Sequence, residues 1–409
     1  MTGNEMIPHL FRTEYSKLVS VLAKTFGLEH IEIAEDIASD TFLQAIDTWP
    51  YKGLPVNPTA WLYTVAKNKT LNHLARNNNF RKIVSGKQLA DKHLEETDID
   101  FSDANIADSQ LRMLFTICHP SISKETQICL ALKILCGFSL AEIADAFLSN
   151  RETIHKRLQR GKKTLQQQLQ IQLPDEKSLK MRLQTVLKTI YLLFSEGYYS
   201  ESNASIIRTD FCVDALNLTY LLLGNSLTNT HSTNSLMSLM CFQSSRLAAR
   251  KSVEGELILY DDQDRNLWDK EFIEKGFYYL QQASKWEITS TYYIEASIAY
   301  WHTVDNSNPD KWISILKLYD ALLHVNPSPV AALNRIWASS KVYGDKRAIS
   351  ELEKLSLTNN HFYFLLLAEL YKQTDTRKAV DCLRNALSLC KTGTEKELIT
   401  KRIDEFTKL

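Results

Sequence analysis

The segment from Trp61 to Ala90 combines residue types that bind nucleic acid. It carries six cations and no Asp or Glu, namely Lys67, Lys69, Arg76, Arg81, Lys82 and Lys87. A local excess of cations favours contact with phosphates. On a helix with about 100° per residue, one stripe holds Trp61, Thr64, Asn68, Asn72 and Arg76, and the opposite side holds Leu62, Tyr63, Ala66 and Leu74. Rings stack on unpaired bases, and amides and guanidinium groups bond to base edges. The stripe fits unpaired nucleotides; the alternative is an amphipathic helix with a solvated basic face.

A second segment, from Gly137 to Leu165, has the pattern of a helix-turn-helix. Ser139 can cap a helix with the apolar stripe Leu140, Ile143, Ala144 and Phe147, and Asn150 can cap the next helix after a short turn. In that second helix the apolar side is Ile154, Leu158, Gly161 and Leu165. The outward side is Glu152, Lys156, Gln159, Arg160 and Lys163, flanked by Thr153, His155 and Arg157. Such a helix suits a DNA major groove. The alternative is a helical hairpin with a solvated basic face.

The elements that must position these residues are predicted to be helices throughout. Gly (12) and Pro (9) are scarce, apolar residues recur with a 3.6-residue period, and no hairpin signal separates alternating runs. We therefore predict an all-α protein. Residues 1–84 form a first domain, the acidic stretch 85–110 a linker, and residues 111–173, closed by Pro174, a second domain.

Residues 178–409 form a long C-terminal helical extension. Within it, Trp312 to Asp345 has the spacing of a helix, a Pro-containing turn and a second helix, which resembles a tetratricopeptide repeat of about 34 residues. A further helical pair is predicted from Phe362 to Leu389. Repeat-like pairs of this kind present broad surfaces to protein partners.

Bulk composition excludes several classes of protein. The 48 Lys and Arg balance the 48 Asp and Glu, so nucleic-acid contact must come from local clusters. No stretch approaches the roughly 20 apolar residues of a membrane span, and Met1 is followed by polar and acidic residues, so we expect a cytoplasmic protein without membrane contact. The seven cysteines lie in apolar helical patterns without metal-ligand spacing, which favours core thiols over disulfides or zinc.

Together these segments resemble the extracytoplasmic-function (ECF) sigma factors of RNA polymerase. Ala34 to Ala45 resembles that family's polymerase-binding helix in region 2, Pro58 to Arg76 its minus-ten helix, and Gly137 to Leu165 its region 4 helix-turn-helix. The extension resembles that of one sigma subgroup through Leu193 to Tyr199, Asp261 to Trp268 and Leu318 to Arg335. The resemblance implies a region 2 helical bundle, a region 4 helix-turn-helix and a repeat-like helical domain.

The resemblance also implies roles for individual residues. Asp36, Asp40, Thr41, Phe42 and Gln44 are expected to face core RNA polymerase, and Ser39 stands where the family often has Gln. The loop from Tyr51 to Asn57 is expected to receive a minus-ten base, and Trp61, Lys67, Asn68, Asn72 and Arg76 to follow the displaced strand. His155, Lys156, Arg157, Gln159 and Arg160 are expected to contact minus-thirty-five DNA. The extension is expected to regulate these regions by intramolecular contact.

Two other functions compete with this reading. A helix-turn-helix regulator with a partner-sensing tail explains Gly137 to Leu165 but leaves the two region 2 segments unexplained. An enzyme could use Asp261, Asp262 and Asp264 as metal ligands, or Ser195, Glu196 and His231 as acid and base groups. No phosphate-binding glycine loop or zinc-protease motif accompanies them, so we expect no catalytic residue, cofactor or metal.

Overall fold

The computed structural model describes residues 3–85, 99–147, 149–168, 173–199, 208–250, 258, 260–285, 290–390 and 393–407. These residues form eighteen α-helices and no strand, which confirms the all-α prediction. None of the described helices is long and apolar enough to cross a bilayer. The chain divides into two compact units, Met1–Leu193 and Phe194–Leu409.

The first unit contains seven whole helices and the beginning of an eighth. They are α1 (Gly3–Phe26), α2 (Ile31–Lys52), α3 (Pro58–Ser85), α4 (Asp103–Ile117), α5 (Lys124–Leu130), α6 (Leu140–Ala146), α7 (Arg151–Gln168) and α8 (Glu176–Tyr199). A π-helical stretch, Ala131–Leu135, continues α5. α1 packs against α2, α3, α4 and this stretch, and its Leu18, Val19 and Leu22 are fully buried. α1 is therefore the centre of the unit.

The predicted acidic linker is shorter than expected. α4 begins at Asp103, because Ser102 accepts a hydrogen bond from the Asn105 amide at its N-terminus. From α1, Lys24 Nζ donates to Asn105 Oδ1 and Asp108 Oδ2, each at 2.8 Å. Residues 103–110 thus belong to the packed unit. The acidic Asp91, Glu95, Glu96 and Asp98 and the cation Lys87 lie outside the described residues.

The first unit also extends past Pro174. The Arg182 guanidinium of α8 donates to the Phe115 carbonyl of α4. Thr189 Oγ1 donates to Gln127 Oε1 of α5 at 3.1 Å, and both side chains are buried. The first turns of α8 are therefore part of this unit, and the structural division falls near residue 193 rather than at Pro174.

The second unit begins with the last turns of α8 and is built on a buried helix. Its first helices are α9 (Thr209–Leu223), α10 (His231–Ser244), α11 (Lys270–Ser284) and α12 (Thr291–Thr303). Every residue of α10 except the half-buried Ser232 is buried, and α9, α11 and α12 pack around it. Gly276 of α11 permits close packing, because a Cβ there would lie 2.8 Å from the Phe242 ring of α10.

Six further helices complete the second unit, each packing mainly on its chain neighbours. They are α13 (Lys311–Val325), α14 (Pro329–Tyr343), α15 (Asp345–Leu355), α16 (His361–Tyr371), α17 (Thr376–Leu389) and α18 (Gly393–Thr407). The predicted helix, proline turn and helix from Trp312 to Asp345 correspond to α13 and α14. The turn ends where Ser328 Oγ accepts from the Ala331 amide at 3.1 Å, with Pro329 in the first helical turn. The predicted pair from Phe362 to Leu389 corresponds to α16 and α17.

Candidate nucleic-acid interface

α3 presents one polar face to solvent and buries the other. Asn57 caps the helix, since its Oδ1 accepts from the Ala60 amide at 3.0 Å. Leu62, Ala66 and Thr70 are buried. On the opposite side, Thr64, Asn68, Asn72 and Arg76 are exposed, whereas Lys67 is half-buried. The predicted stripe is therefore a solvent face, and its amides and guanidinium group are free to approach a nucleic-acid strand. For residues 77–85 the structure describes the helix only.

Two aromatic contacts fix α3 on the unit. The half-buried Trp61 ring lies 5.3 Å from the buried Trp49 ring of α2, at 65°. Tyr63 Oη donates to Glu14 Oε2 of α1 at 2.5 Å, and its ring stacks on Phe101 at 4.7 Å. Burial and then the Glu14 carboxylate raise the pKa of Tyr63, so it remains a donor at neutral pH. Trp61 thus lies at the border of the polar face, beside the loop that precedes α3.

The loop between α2 and α3 exposes an apolar patch. Gly53 has φ 80° and its amide donates to the Trp49 carbonyl, so the chain turns sharply out of α2. Tyr51, which lies in the last turn of α2 and not in the loop as predicted, is 89% exposed, and Leu54 and Val56 of the loop are also exposed. Exposed apolar side chains in a cluster commonly mark binding surfaces. The family resemblance alone predicted a binding role for this loop, because the amino-acid composition gave no signal for one.

The five residues predicted on α2 fall on two different sides of the helix. Asp36, Asp40 and Gln44 are exposed. Thr41 and Phe42 are buried: Thr41 Oγ1 donates to the Ile37 carbonyl at 2.7 Å, and the Phe42 ring meets Phe11 of α1 at 5.0 Å. As the helix turns 100° per residue, no single face can hold all five.

The exposed face of α2 also contains apolar residues that sequence reasoning missed. Leu43 is 56% exposed and Ile46 is 48% exposed. They lie next to Gln44 and within two turns of Asp40. The signal that could have found Leu43 is helical spacing, because positions 36, 40, 43 and 47 share one side of a helix, and Ile46 lies at the edge of that side. A mixed acidic and apolar surface of this kind suits a protein partner.

α6 and α7 adopt the predicted capped arrangement. Ser139 and Glu142 form a reciprocal capping box: Ser139 Oγ accepts from the Glu142 amide at 3.2 Å, and Glu142 Oε2 accepts from the Ser139 amide at 2.7 Å. Asn150 Oδ1 accepts from the Thr153 amide at 2.7 Å and caps α7. Two capped helices joined by a short connection define the direction of α7.

α7 buries its predicted apolar side against α5. Ile154, Leu158, Gly161 and Leu165 are buried. A Cβ on Gly161 would lie 2.6 Å from Thr126 Cγ2, so only glycine allows this approach. Of the five residues predicted to contact DNA, four are exposed and Arg157 is half-buried; the four are His155, Lys156, Gln159 and Arg160. The outward face therefore carries cations and one amide, together with the exposed Glu152, which pairs with Lys156 at 2.6 Å.

A cavity of about 410 Å³ lies beside this face. Lys156, Arg157 and Arg160 of α7 line it, facing the hydroxyl residues Ser123 and Thr126 at the start of α5; Thr153 and Glu125 complete the wall. Cations next to hydroxyl groups can hold a phosphate. Ser123 and Thr126 were missed from the sequence, although the Ser-Lys-Glu-Thr order before an apolar run is a helix-start signal.

An ion pair joins α7 to α2 inside the first unit. Lys162 Nζ donates to Glu35 Oε2, and the two side chains are only 17% and 9% exposed. On the neighbouring surface, the Arg12 guanidinium lies 3.7 Å above the Phe138 ring and 3.8 Å from Glu142. The α3 face, the α2 face and the α7 face are thus held in one packed body.

Two of the residues considered as catalytic groups, His231 and Asp264, have structural roles. His231 is buried, with Nδ1 bonded to the Ala283 carbonyl at 2.9 Å and Nε2 accepting from the Ser290 amide at 3.2 Å. Asp264 caps a 3₁₀ turn by accepting from the Asn266 amide at 2.9 Å. The described residues contain no group of three His, Cys, Asp or Glu that could hold a metal. All seven cysteines are free thiols, and six are buried.

Comparisons with known proteins divide the chain in a similar way. Residues 10–80 match the family Sigma-70 region 2, and residues 182–284 match a family of unknown function, DUF6596. An uncharacterized protein of Rhizobium meliloti is 30% identical over 406 residues, covering 95% of each chain. The ECF RNA polymerase sigma factor BldN of Streptomyces coelicolor is 30% identical over 136 residues, 32% of this chain and 49% of that protein. No solved structure matches the chain.

The sigma-70 match spans α1, α2 and most of α3, the helices that carry the polar face and the exposed loop. The Rhizobium meliloti protein matches along almost the whole chain, including the C-terminal unit. The chain therefore belongs to the same family as that full-length relative, and its match to sigma-70 region 2 supports a sigma-type transcription initiation factor.

Proposed function

We propose that this protein is an alternative sigma factor of the extracytoplasmic-function kind, which brings core RNA polymerase to a two-part promoter and stabilises the melted strand. The observation that carries the proposal is the outward face of α3, where Thr64, Asn68, Asn72 and Arg76 are exposed while the opposite side is buried. The similarity to the ECF RNA polymerase sigma factor of Streptomyces coelicolor, over 136 residues, supports the same function.

At the minus-ten element, the α3 face and the preceding loop act together. Tyr51, Leu54 and Val56 surround an unstacked base with apolar surface. Asn68 and Asn72 bond to base edges, and Arg76 pairs with the phosphates of the displaced strand. Trp61, held against Trp49, provides a ring at the border between the loop and the face.

At the minus-thirty-five element, α6 and α7 act as a helix-turn-helix. Gln159 and Arg160 face base edges in the major groove, because they lie on the exposed side of α7. Ser123 and Thr126 hold a backbone phosphate in the 410 Å³ cavity, together with Lys156. The phosphate contact orients α7, and the base contacts select the sequence.

Core polymerase binds the exposed face of α2. Asp36, Asp40 and Gln44 make polar contacts, and the exposed Leu43 and Ile46 add apolar area. Phe42 contributes from behind, because its ring packs on Phe11 and anchors α2 on α1, while Thr41 bonds to the Ile37 carbonyl within α2 itself.

The packed first unit has to open when it binds a promoter. The two elements are about 25 base pairs apart, or roughly 85 Å at 3.4 Å per pair. A compact body of the size of this unit has a radius of gyration of about 16 Å. The two DNA faces therefore separate on the promoter, and the Glu35 to Lys162 pair, which joins α2 to α7, breaks.

The C-terminal unit regulates these regions in cis through repeat-like helical pairs such as α13 with α14 and α16 with α17. Support comes from the consecutive packing of its helices and from the full-length similarity, which covers this unit as well. A truncation after Tyr199 keeps the α8 contacts of Arg182 and Thr189, whereas a cut at Pro174 removes them. The Tyr199 truncation should change run-off transcription without abolishing polymerase binding.

Permanganate footprinting with core polymerase tests the proposed DNA contacts. Trp61→Ala and Asn72→Ala should reduce thymine reactivity at the minus-ten region while upstream binding persists. Arg160→Ala should weaken upstream binding by about 1–3 kcal/mol. Lys180→Ala changes an exposed cation of α8 outside both faces and is the control. Wild-type footprints in all three variants would contradict the proposal, and promoter binding without polymerase would favour a helix-turn-helix regulator.

A further inference from the structure

The C-terminal unit contains a cavity of about 770 Å³ between α9, α10 and α11. Three tyrosines form much of its wall: Tyr220 from α9 and the adjacent Tyr278 and Tyr279 from α11. Three amide side chains line it as well, together with Leu223, Gly224, Ser226 and Lys285, and no Asp or Glu is among the lining residues. Small-molecule sites have volumes of about 300–1,000 Å³ and combine aromatic walls with a few oriented polar groups. This cavity has that size and that lining.

The wall includes a buried amide with an unused acceptor. Asn234 is only 4% exposed, and its Nδ2 donates to Asn229 Oδ1 at 2.7 Å and to the Thr230 carbonyl at 2.9 Å. Asn229 is itself fixed, because its Nδ2 donates to the Leu223 carbonyl at 3.1 Å. Both donors of the Asn234 amide are therefore occupied, while its Oδ1 has no hydrogen-bond partner among the described residues. A ligand hydroxyl or N–H would satisfy it.

A second amide side chain, that of Gln282, has its donors available rather than its acceptor. Lys285 Nζ donates to Gln282 Oε1 at 2.7 Å, which leaves the Gln282 Nε2 donors for a ligand. The tyrosine hydroxyls add further donors. Burial, and after it the neighbouring Cys241, Tyr220 and Tyr278, raise the pKa of Tyr279, so this phenol stays protonated. The cavity thus offers both donors and an acceptor beside aromatic rings.

Two of these rings are open to solvent. Tyr220 is 67% exposed and Tyr278 is 54% exposed, and the Tyr278 and Tyr279 rings meet edge to face at 5.1 Å. Exposed rings at a concave surface provide a flat apolar face for a ligand. The matching ligand has an apolar face and hydroxyl groups around its edge.

We infer that this cavity binds a saccharide. Its hydroxyls donate to Asn234 Oδ1 and accept from Gln282 Nε2, while the C–H face of a sugar ring packs on the Tyr278 ring. A proline-rich peptide would also suit tyrosine rings. Proline, however, has no N–H to offer the Asn234 acceptor. The inference does not depend on the function of the N-terminal unit.

Saturation-transfer NMR on the full chain tests this inference with three probes: neutral cellobiose, acidic glucuronate and a proline-rich decapeptide. At least one of the two sugars should bind with a Kd of about 1 mM. Tighter binding of cellobiose would indicate a neutral saccharide, and tighter binding of glucuronate would indicate an acidic one. Tyr278→Ala should weaken that binding about tenfold, because it removes the stacking ring. Tyr343→Ala is the matched control, since Tyr343 is 53% exposed and lies outside the cavity.

Three results would overturn the saccharide site. One is no transfer to either sugar at about 10 mM, a concentration that would reveal even weak binding. Another is equal sugar binding by wild type and Tyr278→Ala, with the circular-dichroism spectrum and Tm of the variant unchanged. The third is binding of the decapeptide alone, which would assign the tyrosine surface to a peptide.

Discussion

The Glu35 to Lys162 ion pair should hold the first unit closed, and Glu35→Gln should loosen it. The replacement keeps the shape of the side chain but leaves the Lys162 ammonium without its counter-charge at a site only 17% exposed. Removing one partner of a buried pair costs about 3–5 kcal/mol. Because Lys162 keeps some access to water, we expect about 3 kcal/mol, at the lower end of that range.

A double-mutant cycle separates the pair from the individual residues. Glu35 Oε1 has no hydrogen-bond partner among the described residues, so the pair itself is not ideally satisfied. The double variant Glu35→Gln with Lys162→Met should therefore regain about 2 kcal/mol of the stability that Glu35→Gln alone loses. The exposed pair Glu152 and Lys156, at 2.6 Å on α7, is the control, and its coupling should be about 0.3–0.5 kcal/mol.

Hydrogen exchange followed by mass spectrometry measures these energies in the full chain, as opening free energies of amides in α2 and α7. If opening becomes easier by about 3 kcal/mol, the open population rises roughly 100-fold, and apparent promoter affinity in the presence of polymerase should rise with it. If the coupling energy between Glu35 and Lys162 is no larger than that between Glu152 and Lys156, the buried pair does not hold the first unit closed. Faster exchange in α2 and α7 without any gain in promoter affinity would also contradict a closing role for the pair.

Other predictions concern packing, titration and recognition. Gly161→Ala should destabilise the first unit by about 1–3 kcal/mol in urea unfolding, because its Cβ would clash with Thr126, whereas Gly393→Ala, with open space around it, should not. Burial, and after it the cations Arg246, Lys311 and Arg265, lower the pKa of His302 to about 3. The pKa of His302 in the folded chain lies below the unfolded value of about 6.5. Its contribution to stability is therefore complete above pH 6.5. That contribution is lost as the pH falls toward 3, at up to about 1.4 kcal/mol per pH unit. His302→Gln should therefore show a smaller loss of stability between pH 7 and pH 5 than wild type, and equal losses would contradict the assignment. Arg160→Ala should lower the salt dependence of upstream DNA binding if Arg160 contacts a phosphate, and an unchanged salt slope would assign it to base contact alone.

Local pattern was sufficient to predict the faces of individual helices. The 3.6-residue period placed Asn68 and Asn72 outward on α3 and Ile154 and Leu158 inward on α7, as the structure has them. The caps at Ser139 and Asn150 were also readable, because the chemistry of a cap lies within four residues.

Tertiary packing was not readable in the same way. Glu35 and Lys162 are separated by 127 positions, and nothing in either local pattern indicates that they meet. Thr41 and Phe42 were placed with the polymerase face by resemblance, yet both are buried, and the Phe42 ring packs on Phe11 of α1. Pro174 marks a local break, whereas the end of the first unit is decided by the α8 contacts of Arg182 and Thr189.

The central claim is that this chain directs core RNA polymerase to a promoter, and run-off transcription by purified core enzyme tests it most directly. The wild-type chain should co-elute with core polymerase and support a transcript of defined length from its cognate promoter. Asp36→Lys combined with Asp40→Lys should abolish co-elution, because both carboxylates lie on the exposed face of α2, while the fold is preserved. A wild-type chain that neither co-elutes with core polymerase nor yields a promoter-specific transcript would contradict the account.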